Sequence, residues 1–302
     1  MSAAPERAAP ERAAPDGGAG GVGDLTSARV VRALLDRHGL RHDKDLGQHF
    51  LVDRGVLAAI VDAAELRGGH EVWEVGPGLG TLTRELASRA RRVVAIELDA
   101  RLPAVLAETL APWDNVEVRR GDALRVDWSR AAPGALFVSN LPYQVGTAVL
   151  TRVMGSRRFA RAVVLVQREV ADRLVAGPGA PAFGSLSLWV AHHGHARIVR
   201  GVAPGAFVPP PRVHSAVVRI DLDPDAPPDP RTFDLVRDAF RHRRKTLAWN
   251  LRAAGDDPER VREALADLGI DGRARAETLG LDAFRRLAAA LRPLVGVVDR
   301  PT

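Results

Sequence analysis

Apolar positions change their period several times along the chain. Between Ser27 and His38, Val30, Val31, Leu34 and Leu35 share one face while Arg29, Arg32 and Arg37 take the other, which predicts an amphipathic helix. A second helix is expected over Arg54 to Ala64. The pattern then shortens to Val72, Trp73 and Val75, a buried strand of β-branched and aromatic residues, and lengthens again over Thr81 to Arg91, where Leu82, Leu86 and Ala90 fall on one face. The alternation continues with a strand at Arg92 to Ile96, a helix at Ala100 to Leu110 and a strand at Val116 to Arg120. Further strands are expected at Ala135 to Val138, Ala162 to Val166 and Ser215 to Asp221, the last entered through the rigid run Phe207-Val208-Pro209-Pro210-Pro211-Arg212-Val213. Strands alternating with helices predict a Rossmann-like α/β fold with a largely parallel sheet.

Two stretches break this pattern. Residues 1–26 repeat Ala-Ala-Pro-Glu-Arg and end in a glycine-rich run, with nothing apolar and continuous to bury. They read as a disordered tail, and the lack of an apolar segment excludes a signal peptide. Asp223-Pro224-Asp225-Ala226-Pro227-Pro228-Asp229-Pro230 reads as a linker. Beyond it only helical periods occur, at Phe233 to Arg241, Thr246 to Ala253, Pro258 to Leu268 and Leu281 to Leu291. The expected organisation is therefore a tail (1–26), an α/β domain (27–223), a linker (224–230) and a small all-helical domain (231–299).

Composition adds a compartment and a class of partner. The 302 residues are 46% hydrophobic, enough for a substantial core, and no 18-residue apolar run offers a membrane span. The chain has no cysteine, which excludes disulfides and thiolate zinc sites and fits a reducing, cytoplasmic setting. Net charge is +6, and all but Lys44 and Lys245 of the 43 basic residues are arginine. Arginine forks bind phosphate bidentately, so nucleic acid is an expected partner, although a GC-rich genome also enriches arginine. A monomer is expected.

Candidate chemistry gathers at predicted strand ends. The first strand runs into Gly76, Gly78 and Gly80 at alternate positions, with Glu74 inside the strand. A dinucleotide turn spaces its glycines G-x-G-x-x-G to seat a pyrophosphate on a helix N-terminus. The spacing here suits S-adenosylmethionine better, because that ligand has no phosphate and carries an amino-acid head, a ribose and a sulfonium. Glu97 ends the second strand and can accept both ribose hydroxyls; Asp122 ends the third and can accept from the adenine amino group.

The fourth strand ends in Asn140-Leu141-Pro142-Tyr143, which contains the chain's only tyrosine. An exocyclic adenine amine is a poor nucleophile, since its lone pair is delocalised into the ring. The Asn140 side-chain oxygen and the Leu141 carbonyl can accept its two N–H groups and favour a more tetrahedral nitrogen. Pro142 stiffens the turn, and Tyr143 offers a face on which an unstacked base can rest. Phe207 can face Tyr143 across the base or anchor the core. His192, His193 and His195 lack a carboxylate or cysteine companion at ligand spacing, so no metal is expected. Arg241-His242-Arg243-Arg244-Lys245 is the densest basic cluster and, with Arg168, the expected RNA contact.

Taken together, these residues resemble the ribosomal-RNA adenine N6-dimethyltransferases, in particular their bacterial small-subunit branch. The likeness covers about residues 45–298. It rests on Gly47-Gln48-His49-Phe50-Leu51, Glu74-Val75-Gly76-Pro77-Gly78-Leu79-Gly80, Glu97-Leu98-Asp99, Gly121-Asp122-Ala123, Asn140-Leu141-Pro142-Tyr143 and Phe207 through Val218. The resemblance implies a class I S-adenosylmethionine-dependent methyltransferase sheet with a small C-terminal helical domain. It also implies four methyl transfers to two adjacent adenosines near the small-subunit rRNA 3′ end, during assembly of the small subunit. Its cofactor contacts carry over to His49, Leu51, Gly76, Glu97, Asp122 and Asn140. His49 stands where the family often has asparagine, and still offers a donor and an acceptor. The alternatives are a large-subunit rRNA methylase conferring macrolide resistance, a non-catalytic RNA-binding assembly factor on the same fold, and a small-molecule methyltransferase. The segments Ala176-Gly177-Pro178 and Phe183-Gly184-Ser185-Leu186-Ser187 are similar to the small-subunit branch.

Overall fold

The computed structural model describes residues 22–40 and 48–292. Its first helix, α1 (Ala28–Arg37), buries Val31, Leu34 and Leu35 as their spacing requires. After the two-residue strand β1 (Phe50–Leu51) comes α2 (Arg54–Ala64), whose N-terminus is capped by the Asp53 carboxylate accepting the Val56 N–H at 2.8 Å. The α/β alternation follows: β2 (Glu71–Val75), α3 (Thr81–Ala87), β3 (Arg92–Glu97), α4 (Pro103–Thr109), β4 (Val116–Arg120), β5 (Ala135–Asn140), α5 (Gly146–Gly155) and β6 (Phe159–Gln167). Next are α6 (Arg168–Val175), α7 (Ser185–His193), β7 (Gly194–Val202), β8 (Phe207–Val208) and β9 (Ser215–Leu222). The chain closes with α8 (Pro230–Ala239), α9 (Leu247–Ala253), α10 (Pro258–Asp267) and α11 (Leu281–Leu291).

Seven strands form one sheet in the order β4-β3-β2-β5-β6-β9-β7. The five from β4 to β6 are parallel, while β9 runs antiparallel to both β6 and β7. Every residue of β2 is buried, as expected for a strand covered on both faces. Leu57, Ile60, Leu82 and Leu86 from α2 and α3 pack with Val72, Val93 and Leu136 of the sheet. Trp73, Phe137 and Phe159 gather around Trp128, with ring centroids 5.8, 5.8 and 6.1 Å away. Strand order reverses at β2, flanked by β3 on one side and β5 on the other, so the carboxyl ends of these strands bound a crevice suited to a ligand. Phe50 and Leu51 pair with Val208 and Phe207 in a separate two-stranded ribbon.

The chain divides into two compact units, with one boundary in the expected linker and two that the linker does not predict. One holds the described residues through Ala171 together with Gly194–Pro224; the other holds Asp172–His193 and the described residues from Asp225. Phe183 and Leu188 belong to the apolar core formed by Leu235, Leu251, Leu265 and Phe284, which draws their segment out of the expected 27–223 domain. The tail is corrected at its end as well: Leu25 is buried with Leu34, Phe50 and Leu79. The rest of the expected tail (1–21), Lys44, Gly47 and the end of the expected helical domain (293–299) lie outside the described residues.

Candidate active site

The crevice is lined by the ends of β2, β3, β4 and β5 and by the segment 48–51. Leaving β2, Gly76 turns to φ 68° and donates its N–H to the Ile96 carbonyl at 2.9 Å. A Cβ there would stand 3.1 Å from Pro142 Cγ, so glycine lets the β2 turn and the β5 turn meet. Gly78 lines the same wall beside Phe50. Gly80 does not. It caps α3 at φ 87°, and a Cβ would meet Leu110 Cδ2 and Thr109 Oγ1, each at 3.1 Å. The cofactor role expected for Gly80 is therefore corrected to helix packing.

The carboxylates occupy unlike environments. Glu97, buried at the end of β3, accepts the Asp99 N–H at 2.8 Å and the Gly78 N–H at 3.4 Å; burial pushes its pKa up. Glu74 is 1% exposed and accepts the Thr83 hydroxyl at 2.7 Å. Burial raises its pKa to about 8, against the Thr83 bond and with help from the Glu97 charge. Asp99 goes the other way: the Arg101 guanidinium, at 2.7 and 2.9 Å, and Gln48 Nε2, at 2.8 Å, hold it at about 2. Asp122, at the end of β4, lines the crevice and accepts the Leu124 N–H at 2.8 Å.

On the other side of β2, the Ser139 hydroxyl donates to the Val75 carbonyl at 2.7 Å and ties the β5 end to the β2 end. Asn140, Leu141, Pro142 and Tyr143 follow, all lining the crevice. Leu141 donates its N–H to the Leu165 carbonyl at 3.1 Å, and the Pro142 carbonyl accepts the Gly146 N–H at 2.9 Å, closing the turn. The Tyr143 hydroxyl lies 2.7 Å from Ser215 Oγ, and burial pushes the phenol pKa up. The His49 and Tyr143 rings lie 5.8 Å apart, inclined by 33°. His49 Nδ1 is 2.8 Å from the Pro209 carbonyl, which can only accept, so Nδ1 donates.

The family model for ribosomal RNA adenine dimethylase matches residues 39–292. The chain belongs to that family. A ribosomal RNA small subunit methyltransferase A of Deinococcus radiodurans is 49% identical over 268 residues, covering 88% of this chain and 91% of the relative. A protein of the same name from Geobacillus kaustophilus is 39% identical over 290 residues, covering 90% and 99%. Among solved structures, a dimethyladenosine transferase from Plasmodium falciparum aligns with a TM-score of 0.66 at 24% identity, over 78% of this chain and 95% of the other, a likeness of fold. The 23S rRNA methyltransferase ErmE aligns with a TM-score of 0.62 at 29% identity, over 80% and 98%. The sheet order and these neighbours make the fold that of class I methyltransferases.

In this adenine dimethylase, the crevice brings together His49, Leu51, Glu74, Gly76, Gly78, Glu97, Asp122 and the Asn140–Tyr143 turn. Phe207 is not among them. It is 2% exposed and packs in the core with Leu51, Leu57 and Val217, so its placement opposite Tyr143 is corrected to an anchor. The ring facing Tyr143 is that of His49. Arg168 is exposed at the start of α6, with its N–H on the His214 carbonyl at 2.9 Å. In the helical unit Arg241, Arg243, Arg244 and Lys245 are exposed. Arg243 Nη2 donates to the Pro181 and Phe183 carbonyls at 3.0 and 3.1 Å, which ties it to its own unit. The Gln48–Asp99 and Tyr143–Ser215 bonds join residues 51 and 72 positions apart, and no local pattern marks either pair.

Proposed function

We propose that this chain dimethylates N6 of two adjacent adenosines near the 3′ end of small-subunit ribosomal RNA, with S-adenosylmethionine as methyl donor, as the small subunit assembles. The observation that carries the reading is one crevice lined both by the Gly76–Gly78 turn with Glu97 and by the Asn140–Tyr143 turn. Bound S-adenosylmethionine supplies an electrophilic methyl group.

The chain's residues fit that ligand. Gly76 and Gly78 keep the wall free of side chains, and a carboxylate has about four acceptor sites, so Glu97 can add ribose hydroxyls to its backbone donors. Those donors would also offset the burial that raises its pKa. Asn140 accepts one N–H of the target amine and the Leu141 carbonyl the other, which restores lone-pair character to the nitrogen. Tyr143, held by Ser215, supports the base face. No strong base is needed, because the proton leaves after the N–C bond has formed. Orientation then supplies most of the rate.

The test is radiolabelled methyl transfer to immature small-subunit particles and to naked large-subunit rRNA. Label should enter the particles, and Asn140→Ala should fold normally while losing at least about a hundredfold in turnover, the scale for one preorganised polar group. Near-normal turnover in that variant, or label mainly in the large-subunit RNA, would contradict the proposal.

A further inference from the structure

All five tryptophans lie among the described residues, and Trp249 alone is exposed. On α9, Leu247 and Leu251 are buried in the helical core, one turn apart; Trp249, two residues from each, points outward. Folding does not ask for a tryptophan there. A single exposed apolar side chain is ordinary, but this one has a built surrounding. Lys245 Nζ lies 5.3 Å from its ring centroid, and the His242 ring meets it edge-on at 5.2 Å and 82°.

The arrangement is held from beneath. Asn250, 1% exposed, accepts the His242 N–H at 3.0 Å and donates to the His242 and Thr246 carbonyls at 3.1 and 3.3 Å. The Thr246 hydroxyl caps α9 by accepting the Trp249 N–H at 3.2 Å. Arg241, Arg244 and Lys245 are exposed around the ring's segment. A fixed aromatic face beside several cations is the pairing that holds unpaired nucleotides: the base stacks on the ring while the cations neutralise phosphate.

We infer that Trp249, with His242 and Lys245 beside it and Arg244 for the phosphate, is a stacking platform for one unpaired nucleotide of the RNA. The inference rests on the reading of this chain as an enzyme that acts on RNA. It assigns the helical unit more than phosphate attraction, because stacking selects single-stranded over paired RNA.

The experiment uses the full chain, a short oligoadenylate and an RNA duplex of equal length at fixed salt. Trp249→Ala should weaken oligoadenylate binding by about five- to a hundredfold, the range for loss of one base–aromatic stack. It should leave the salt slope and the duplex affinity as they are. Trp249→Phe should keep most of the affinity. Arg244→Gln should instead reduce the salt slope, by about 0.7 on a single strand. Because Trp249 lies outside the core, thermal melting of both tryptophan variants should match the parent. Unchanged oligoadenylate affinity in Trp249→Ala, while Arg244→Gln still lowers the slope, would overturn the platform and leave the functional reading standing. Loss of binding to poly-glutamate instead of RNA would overturn it in favour of an acidic protein surface. If the parent chain binds neither RNA, the platform fails, and the functional reading is decided separately by methyl transfer to immature small-subunit particles.

Discussion

Glu74 is the least exposed carboxylate among the described residues, and its pKa carries a stability consequence. Unfolded, the carboxyl releases its proton near 4.5; folded, it keeps it to about 8. Between these limits the folded state holds more protons, so wild-type stability falls as pH rises. Glu74→Gln removes that dependence while keeping an acceptor for Thr83. The stability of the variant relative to the wild type should therefore climb between pH 4.5 and 8, by at most roughly 1.4 kcal/mol per pH unit. Urea unfolding across that window measures it, and a pH-independent difference would contradict the burial argument. At this scale Glu97, Asp122, Asn140 and Tyr143 were legible, because a residue at a strand's carboxyl end can be placed from periodicity alone. Phe207 was not. It precedes a run of three prolines, and only its burial with Leu51, Leu57 and Val217 shows that the ring turns inward. Glycine at Gly80 carries the same sequence signal as at Gly76, and only the packing of Leu110 against it separates the two roles.

The element that fixes the crevice wall is the β2–α3 turn, and Gly80 is where its helix begins. Gly80→Ala would place a Cβ in the left-handed region and 3.1 Å from Leu110 and Thr109 of neighbouring structure. The backbone cost alone is about 1–2 kcal/mol. Denaturant unfolding should show a loss of that size or more, and the parent's stability in the variant would refute the packing role. Strongly periodic elements were read closely: α2, β4 and α11 fall within the residues expected. α7 was not recognised, since Ser-Leu-Ser-Leu-Trp-Val-Ala-His-His is apolar nearly all round and offers no helical face. β7 was missed too; it is mostly exposed or half-buried, and its burial pattern alternates only at its start. α5 buries Val149, Leu150, Val153 and Met154 at helical spacing, a signal that lies in the sequence beside the more conspicuous Asn140–Tyr143 turn.

For the whole molecule, the proline-rich linker marks the last of the three places where the chain passes between units, at Pro224 and Asp225. The excursion Asp172–His193 carries no such mark; its membership is decided by Phe183 and Leu188 joining a core built from distant helices. No helix among the described residues is long and apolar enough to cross a membrane. The methyltransferase sheet and its crevice lie in one unit and the exposed basic cluster from Arg241 to Lys245 in the other. Mass spectrometry of ribosomal RNA from a strain lacking this gene shows which RNA is modified. Two adjacent adenosines near the small-subunit 3′ end should lose all four methyl groups, and returning the gene should restore them. Those adenosines remaining dimethylated, with a methylated large-subunit adenine lost in their place, would contradict the proposed function.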